Sequence, residues 1–309
     1  MQLDIINAIG HTPMIELKRV VPKGSARILV KMECNNPTGS MKDRMALAVI
    51  EGAEKKGELS PHGKVVEYTG GSTGTSLAFV CAALGYELQI VTSDAFSKEK
   101  RDHMRALGAE IIEIPSENGG TTKELIEKMI RKAKELSLAP NTYFADQFNN
   151  LDAANGYESL AEEIWNQSNN KVDVFVQSVG TAQCITGVSR VLKRKNERIK
   201  IIAVEPKESP VLSGGKTGSH KIEGVGPGFV PPIWRNELVD RIICFSTEEA
   251  LEMCKRLAKE EALFAGTSTG ANILAAIEIG VQLGEGHTIA TIACDTGLKY
   301  LSSELYSNN

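Results

Sequence analysis

The sequence lacks several features that mark particular protein classes. Its six cysteines are scattered over 309 residues without a Cys-x-x-Cys pair, so neither a disulfide framework nor a zinc site is expected. No apolar run approaches membrane-spanning length, and the start MQLDIINAIG has no basic region followed by an apolar stretch. The net charge is −4 and no basic block stands out, which argues against nucleic acid or an anionic membrane as a partner. We therefore expect a cytoplasmic protein without a metal centre.

Strand-like and helix-like segments alternate along the chain. Apolar runs such as RILVKME, KVVEY, VDVFVQS and HTIATIA predict strands, whereas DRMALAVIEGAEKKG and TSLAFVCAALG have helical spacing. Strands separated by helices of this length predict an α/β fold with parallel sheets that are covered on both faces. In such folds ligands collect at the carboxyl ends of the strands, where loops lead into helices.

One lysine stands at such a position. The stretch NNPTGSMKDR, residues 35–44, puts Lys42 just inside a predicted helix start. The positive end of the helix dipole and burial both favour the neutral amine, and a neutral amine can attack a carbonyl to form a Schiff base. Taken alone, a lysine here is better explained as a solvated surface residue, with Ser40 and Asp43 as capping residues.

Three further loops contain glycines together with residues that have hydroxyl side chains. YTGGSTGTS, residues 68–76, and SVGTAQCITG, residues 178–187, each follow a predicted strand and open a predicted helix. Backbone N–H groups at a helix start favour an anion such as a carboxylate or a phosphate. FAGTSTGAN, residues 264–272, places Ser268 and Thr269 before an alanine-rich helical run. Tight turns and plain N-caps are the alternative interpretation of all three loops.

In this order, these segments resemble the cysteine synthase (O-acetylserine sulfhydrylase) family of fold type II pyridoxal 5′-phosphate enzymes. The resemblance covers almost the whole chain and also includes IGHTPMIEL, QFNN, AVEP and HKIEGVGPGFVP. It implies two three-layer αβα domains with the active site in the cleft between them. Residues 38–148 are then a smaller, mobile, substrate-gripping domain, and residues 1–37 plus 149–309 a larger, cofactor-binding domain.

The resemblance also implies a role for each site residue. Lys42 holds the cofactor as a Schiff base and later takes the substrate Cα proton, and Ser268 contacts the pyridine nitrogen. Ser72 takes the place of an asparagine that usually contacts the ring hydroxyl. The implied phosphate loop is Gly180, Thr181, Ala182, Gln183 and Cys184. The implied grip on the substrate carboxylate is Thr69, Gly70, Gly71, Ser72, Thr73 and Gln147.

Two loops depart from the family pattern. The usual phosphate loop is Gly-Thr-Gly-Gly-Thr, whereas here Ala182 and Gln183 replace two glycines and Cys184 replaces a threonine. The loss of glycine restricts positive φ angles. The usual substrate loop is Thr-Ser-Gly-Asn-Thr-Gly, and here Gly70 and Ser72 replace its serine and asparagine.

The implied reaction is replacement of the β-substituent of an L-alanine derivative through an aminoacrylate. The favoured case makes L-cysteine from O-acetyl-L-serine and sulfide. The alternatives are β-elimination that releases sulfide from cysteine, use of another activated serine such as O-phosphoserine, and a non-catalytic binding relative. The expected partners are a small amino acid and sulfide or another nucleophile, without nucleic acid or membrane, in a homodimer that the resemblance implies.

Overall fold

The computed structural model describes residues 4–117, 122–303 and 305–306. The strands are β1 Met14–Glu16, β2 Arg27–Lys31, β3 Lys64–Tyr68, β4 Glu87–Ser93, β5 Glu110–Ile114, β6 Thr142–Phe144, β7 Val174–Ser178, β8 Lys200–Pro206, β9 Arg241–Phe245 and β10 Thr288–Ile292. The α-helices are α1 Lys42–Lys56, α2 Ser72–Leu84, α3 Lys98–Ala106, α4 Lys123–Leu136, α5 Asp152–Asn155, α6 Glu158–Gln167, α7 Gln183–Lys195, α8 Thr247–Glu260 and α9 Thr267–Leu283. Within these ranges no helix is both long enough and apolar enough to cross a membrane.

The chain divides into two compact units. The smaller unit comprises the segment that ends at Ile9 together with Lys42–Gly156, and the larger comprises Gly10–Met41 and the chain from Tyr157 onward. Each unit contains one sheet. The division of the chain at residues 38 and 148 into a mobile and a cofactor-binding domain stays a prediction.

The smaller unit is built on a four-stranded parallel sheet in the order β5-β4-β3-β6. Helix α4 covers one face, where its buried Leu125 and Met129 pack with Val66, Tyr68 and Val91 of the sheet. Because the strands are parallel, the loops after β3, β4 and β6 emerge at the same edge. The loop that starts at Thr69 and the chain around Gln147 therefore lie beside each other.

The larger unit is built on a six-stranded sheet in the order β1-β2-β10-β7-β8-β9. Only the short edge strand β1 among these six runs antiparallel to its neighbour. Helix α9 contacts β2, β7 and β10 and contributes buried Ile273, Ala276 and Ile279 to the core. The carboxyl ends of β7 and β10 consequently meet near the start of α9.

The predicted α/β class with largely parallel sheets is confirmed. The segments KVVEY, VDVFVQS and HTIATIA contain β3, β7 and β10. Sequence reasoning missed β1, β6 and β9. The first two are three residues long, which is too short for a periodic pattern to show.

The contact between α8 and α9 depends on a glycine. A Cβ at Gly270 would lie 2.2 Å from the carbonyl oxygen of Ala250 and 2.7 Å from Sγ of Cys254. We predict that Gly270→Ala lowers the free energy of unfolding by about 1–3 kcal/mol, because the added methyl forces the two helices apart. Urea denaturation followed by circular dichroism measures the change.

Val281→Ala is the matched control, since Val281 lies on the same helix with 57% of its surface exposed. We expect this change to stay within about 0.5 kcal/mol of the unmodified protein. A Gly270→Ala variant as stable as the control would contradict the packing argument.

Candidate active site

Lys42 is the first residue of α1. The preceding residue, Met41, donates its N–H to the carbonyl oxygen of Cys294 at 2.9 Å, which anchors the chain just before the helix. Lys42 is half-buried, and its neighbour Asp43 is fully buried in the first helical turn. The positive end of the helix dipole disfavours a charged amine at this position. The location therefore suits an amine that has to be neutral when it reacts.

In the smaller unit, the loop of residues 69–73 connects β3 with α2. Thr69 donates its N–H to the carbonyl oxygen of Val91 at 3.0 Å, so the loop continues the sheet for one residue. Gly71 N–H donates to Oγ1 of Thr69 at 3.2 Å. Helix α2 then begins at Ser72. A helix start that follows glycines presents N–H donors to a ligand, which suits a carboxylate.

The structure brings Gln147 to this loop. Its Oε1 accepts a hydrogen bond from the Thr73 hydroxyl at 2.7 Å, and its Nε2 donates to the carbonyl oxygen of Tyr68 at 3.2 Å. Gln147 and Thr73 are both buried. Two residues that the sequence placed in one site from separate motifs are thus in direct contact.

The structure explains one departure of this loop from the family pattern. A Cβ at Gly70 would lie 2.1 Å from the nearest ring atom of Phe96. The ring of Phe96 therefore occupies the space that a serine side chain needs at this position. Sequence reasoning missed Phe96, since a single aromatic residue after a strand carries no distinguishing pattern.

In the larger unit, the loop of residues 180–184 connects β7 with α7. Val179 donates its N–H to the carbonyl oxygen of Val204 at 3.0 Å and accepts a hydrogen bond from Gly226 N–H at 2.9 Å. A Cβ at Gly180 would lie 2.2 Å from the carbonyl oxygen of Gly224, so the two backbones touch here. A shallow pocket lined by Val179, Gly226 and Pro227 adjoins this contact.

The first turn of α7 keeps a glycine-like backbone without glycine. Ala182 is the N-cap residue and has φ +63° and ψ −1°, in the left-handed region. Gln183 and Cys184 are already helical and buried. The N-terminus of a helix has N–H donors and a positive potential that suit an anion. The loop thus retains the geometry of a phosphate site although two of its glycines are replaced.

Ser268 lies in the first turn of α9 and is 5% exposed. Its carbonyl oxygen accepts a hydrogen bond from the Ser178 hydroxyl at 3.4 Å, and Asn272 Oδ1 accepts one from Ser178 N–H at 2.6 Å. The start of α9 is therefore fastened to the end of β7, from which the 180–184 loop departs. An anion-binding helix start and a buried hydroxyl at one edge of the sheet fit the phosphate tail and the aromatic nitrogen of pyridoxal phosphate.

Asp295 is a titratable residue near Ser268 that sequence reasoning missed. Its carbonyl oxygen accepts a hydrogen bond from Gly266 N–H at 3.1 Å, and its Oδ2 accepts one from the Tyr300 hydroxyl at 2.7 Å. Burial, followed by the charge of Asp295, raises the pKa of Tyr300 well above its ordinary value. Tyr300 therefore stays protonated and donates its hydroxyl hydrogen bond to the Asp295 carboxylate. An acidic residue two positions after the buried segment HTIATIA was the available indication.

Comparison with known proteins decides the family. A family model described as pyridoxal-phosphate dependent enzyme matches residues 5–295. The chain belongs to this family. Within it, a cysteine synthase of Staphylococcus aureus is 42% identical over 306 residues, which cover 98% of this chain and 97% of the relative. The predicted resemblance is thereby confirmed.

Solved structures of family members agree with the fold described above. A cysteine synthase from Entamoeba histolytica has a TM-score of 0.92 at 38% identity, over 100% of this chain and 92% of that one. A hydrogen sulfide-producing enzyme from Fusobacterium nucleatum has a TM-score of 0.91 at 36% identity, over 97% and 98% of the two chains. The predicted fold class is that of these family members.

The left-handed conformation of Ala182 leads to a test of the phosphate loop. A non-glycine residue in this region is strained by about 1–2 kcal/mol, whereas glycine adds about 0.4–1 kcal/mol of chain entropy to the unfolded state. We predict that Ala182→Gly raises the free energy of unfolding by up to about 1 kcal/mol. Urea denaturation of the cofactor-free protein measures it.

Ala275→Gly is the control, because Ala275 is buried inside helix α9. There glycine relieves no strain and is expected to destabilise the protein by about 1 kcal/mol or more. Equal losses of stability in the two variants would show that Ala182 is not strained.

Proposed function

We propose that this pyridoxal-phosphate family enzyme makes L-cysteine by replacing the β-substituent of an activated serine, O-acetyl-L-serine, with sulfide. The observation that carries the proposal is the 42% identity to a cysteine synthase along 98% of the chain. The starts of α2, α7 and α9 and the position of Lys42 support it, since each suits a part of that chemistry.

Each unit carries residues that suit a part of this chemistry. In the larger unit, main-chain N–H groups of the 180–184 loop would hold the phosphate of the cofactor, and the Ser268 hydroxyl would face the ring nitrogen. In the smaller unit, Lys42 would supply the amine that holds the cofactor. Pyridoxal phosphate, when bound, supplies an electron sink for the negative charge that develops at the substrate Cα.

The smaller unit also handles the amino acid. Main-chain N–H groups of residues 69–73, together with Gln147, bind and orient the α-carboxylate. The Lys42 amine then accepts the proton from Cα as a general base. Loss of this proton allows the β-substituent to leave, after which sulfide adds to Cβ and the protonated Lys42 amine returns a proton to Cα. A serine hydroxyl at the ring nitrogen, unlike a carboxylate, would not hold that nitrogen protonated.

A second function is favoured by one specific observation. The chain is 36% identical to a hydrogen sulfide-producing enzyme over 97% of its length. Release of sulfide from cysteine uses the same carboxylate grip and the same proton transfer to Lys42. It differs only in which β-substituent leaves and whether a nucleophile returns.

The function is tested by product analysis with the cofactor-loaded protein. We expect O-acetylserine with sulfide to yield cysteine faster than cysteine alone yields sulfide, and faster than O-phosphoserine yields cysteine. Single-turnover mixing with chromatographic detection of cysteine and pyruvate measures all three. Sulfide and pyruvate from cysteine as the fastest products would favour elimination instead.

Lys42 is tested by colour and rate. The protein mixed with pyridoxal phosphate is expected to show a visible absorbance band that survives gel filtration, and Lys42→Ala is expected to lose it. Turnover should fall by about 10²–10⁴-fold, the usual contribution of a general base. Lys56→Ala, at the other end of the same helix with its side chain half exposed, is the control that keeps both properties. A wild-type protein that takes up no cofactor would refute the proposal.

The homodimer that the resemblance implied and the cytoplasmic location that the composition indicated also stay predictions.

A further inference from the structure

Glu67 is a fully buried carboxyl group that no step of the proposed reaction uses. It is the fourth residue of β3, directly before Tyr68 and the substrate loop, and none of its surface is exposed. Burial raises the pKa of Glu67 to about 8. The backbone N–H groups that donate hydrogen bonds to Glu67 oppose this shift, and the nearby charge of Asp146 adds to it. A buried carboxyl is costly, so its contacts require an explanation.

Both oxygens of Glu67 accept backbone hydrogen bonds. Oε1 accepts from Tyr68 N–H at 2.8 Å, and Oε2 accepts from Gln147 N–H at 3.0 Å. A glutamine would present an NH₂ group to one of these two donors, so it cannot replace both bonds. The site therefore requires a carboxyl group rather than any polar side chain of this length.

The bond to Gln147 fixes a strained turn. The ladder between β3 and β6 continues to Ala145, whose N–H donates to the Val66 carbonyl oxygen at 3.0 Å. The next residue, Asp146, has φ +45°, a left-handed conformation that costs about 1–2 kcal/mol outside glycine. Asn149 supports the turn from outside, because its side-chain NH₂ lies 2.9 Å from both carboxylate oxygens of Asp146. The Glu67 carboxyl holds it from inside.

This turn also sets the orientation of the Gln147 side chain. With its backbone held by Glu67, Gln147 extends its amide to Thr73 Oγ1 and to the Tyr68 carbonyl oxygen. The 2.7 Å hydrogen bond from the Thr73 hydroxyl to Gln147 connects the chain after β6 to the first turn of α2. Glu67 thus contacts both ends of this arrangement, through Gln147 on one side and through Tyr68 on the other.

We propose that Glu67 is a positioning residue for amino acid binding, which acts by holding Gln147 and, through it, the Thr73 hydroxyl in the geometry that receives the α-carboxylate. The inference rests on the proposed function only in taking residues 69–73 as the carboxylate-binding loop. Glu67 itself does not contact the amino acid in this proposal.

The first measurement uses Glu67→Gln in the full-length, cofactor-loaded protein. We expect the O-acetylserine concentration that half-saturates the change in cofactor absorbance to rise about tenfold, as follows from one lost hydrogen bond and one unsatisfied donor. The cofactor band before substrate addition should be unchanged. Glu87→Gln, an exposed glutamate on the neighbouring strand β4, is the matched control and should keep the wild-type value.

The second measurement needs no cofactor. In hydrogen–deuterium exchange of the cofactor-free protein, a peptide that contains residues 145–150 is expected to exchange faster in Glu67→Gln than in the wild type or in Glu87→Gln. A double variant of Glu67→Gln with Gln147→Ala should bind O-acetylserine no more weakly than Gln147→Ala alone, because Glu67 acts through Gln147.

Asn149→Ala keeps the test decisive if Glu67→Gln does not fold. Asn149 is exposed, and its loss should loosen the same turn and raise the half-saturating concentration by a smaller factor. Unchanged substrate binding and unchanged exchange in the folded variants would overturn the role of Glu67, and so would an additive double variant. A wild-type protein that binds no cofactor or does not respond to O-acetylserine would overturn the proposed function instead, whatever the exchange data show.

Discussion

The parallel pairing of strands is the constraint on which the candidate site depends. A parallel pair needs a crossover connection, so each strand ends where a helix begins, at the same edge of its sheet. In the smaller unit this brings the loop after β3 to the chain after β6, and in the larger unit it brings the end of β7 to the segment after β10. The helix starts at Ser72 and Gln183 then supply donors for anions without any charged side chain.

Two departures from the family pattern acquire a physical meaning in this setting. At residue 182 the backbone stays left-handed although alanine replaces glycine, so the loop shape is imposed by its surroundings and not by the local residue. At residue 70 the reverse holds, because the ring of Phe96 leaves room for glycine only. The left-handed backbone of the phosphate loop is thus held without glycine, whereas the substrate loop depends on glycine at residue 70.

Three buried polar groups of the smaller unit form one connected system. Glu67, Gln147 and Thr73 are each buried and each hydrogen-bonded to another member or to the adjacent backbone. Such networks fix the geometry of their members, because a side chain that moves loses more stabilisation than that of a single hydrogen bond. A binding loop that is rich in glycine needs this support, since its own backbone has little preference for one conformation.

The sequence by itself determined the α/β class, the positions of most long strands and helices, and the family, because apolar periodicity and ordered motifs are local properties of the chain. It also indicated Lys42 and the loops around residues 70, 180 and 268. Only the tertiary structure decided that Glu67 and Asp146 stand beneath Gln147, that Phe96 covers Gly70 and that Tyr300 holds Asp295. The Glu67–Gln147 and Phe96–Gly70 contacts join residues that are far apart in the chain, whereas Asp146 directly precedes Gln147 and Tyr300 lies five residues after Asp295. Their geometry follows from strand order and packing, which no local pattern contains.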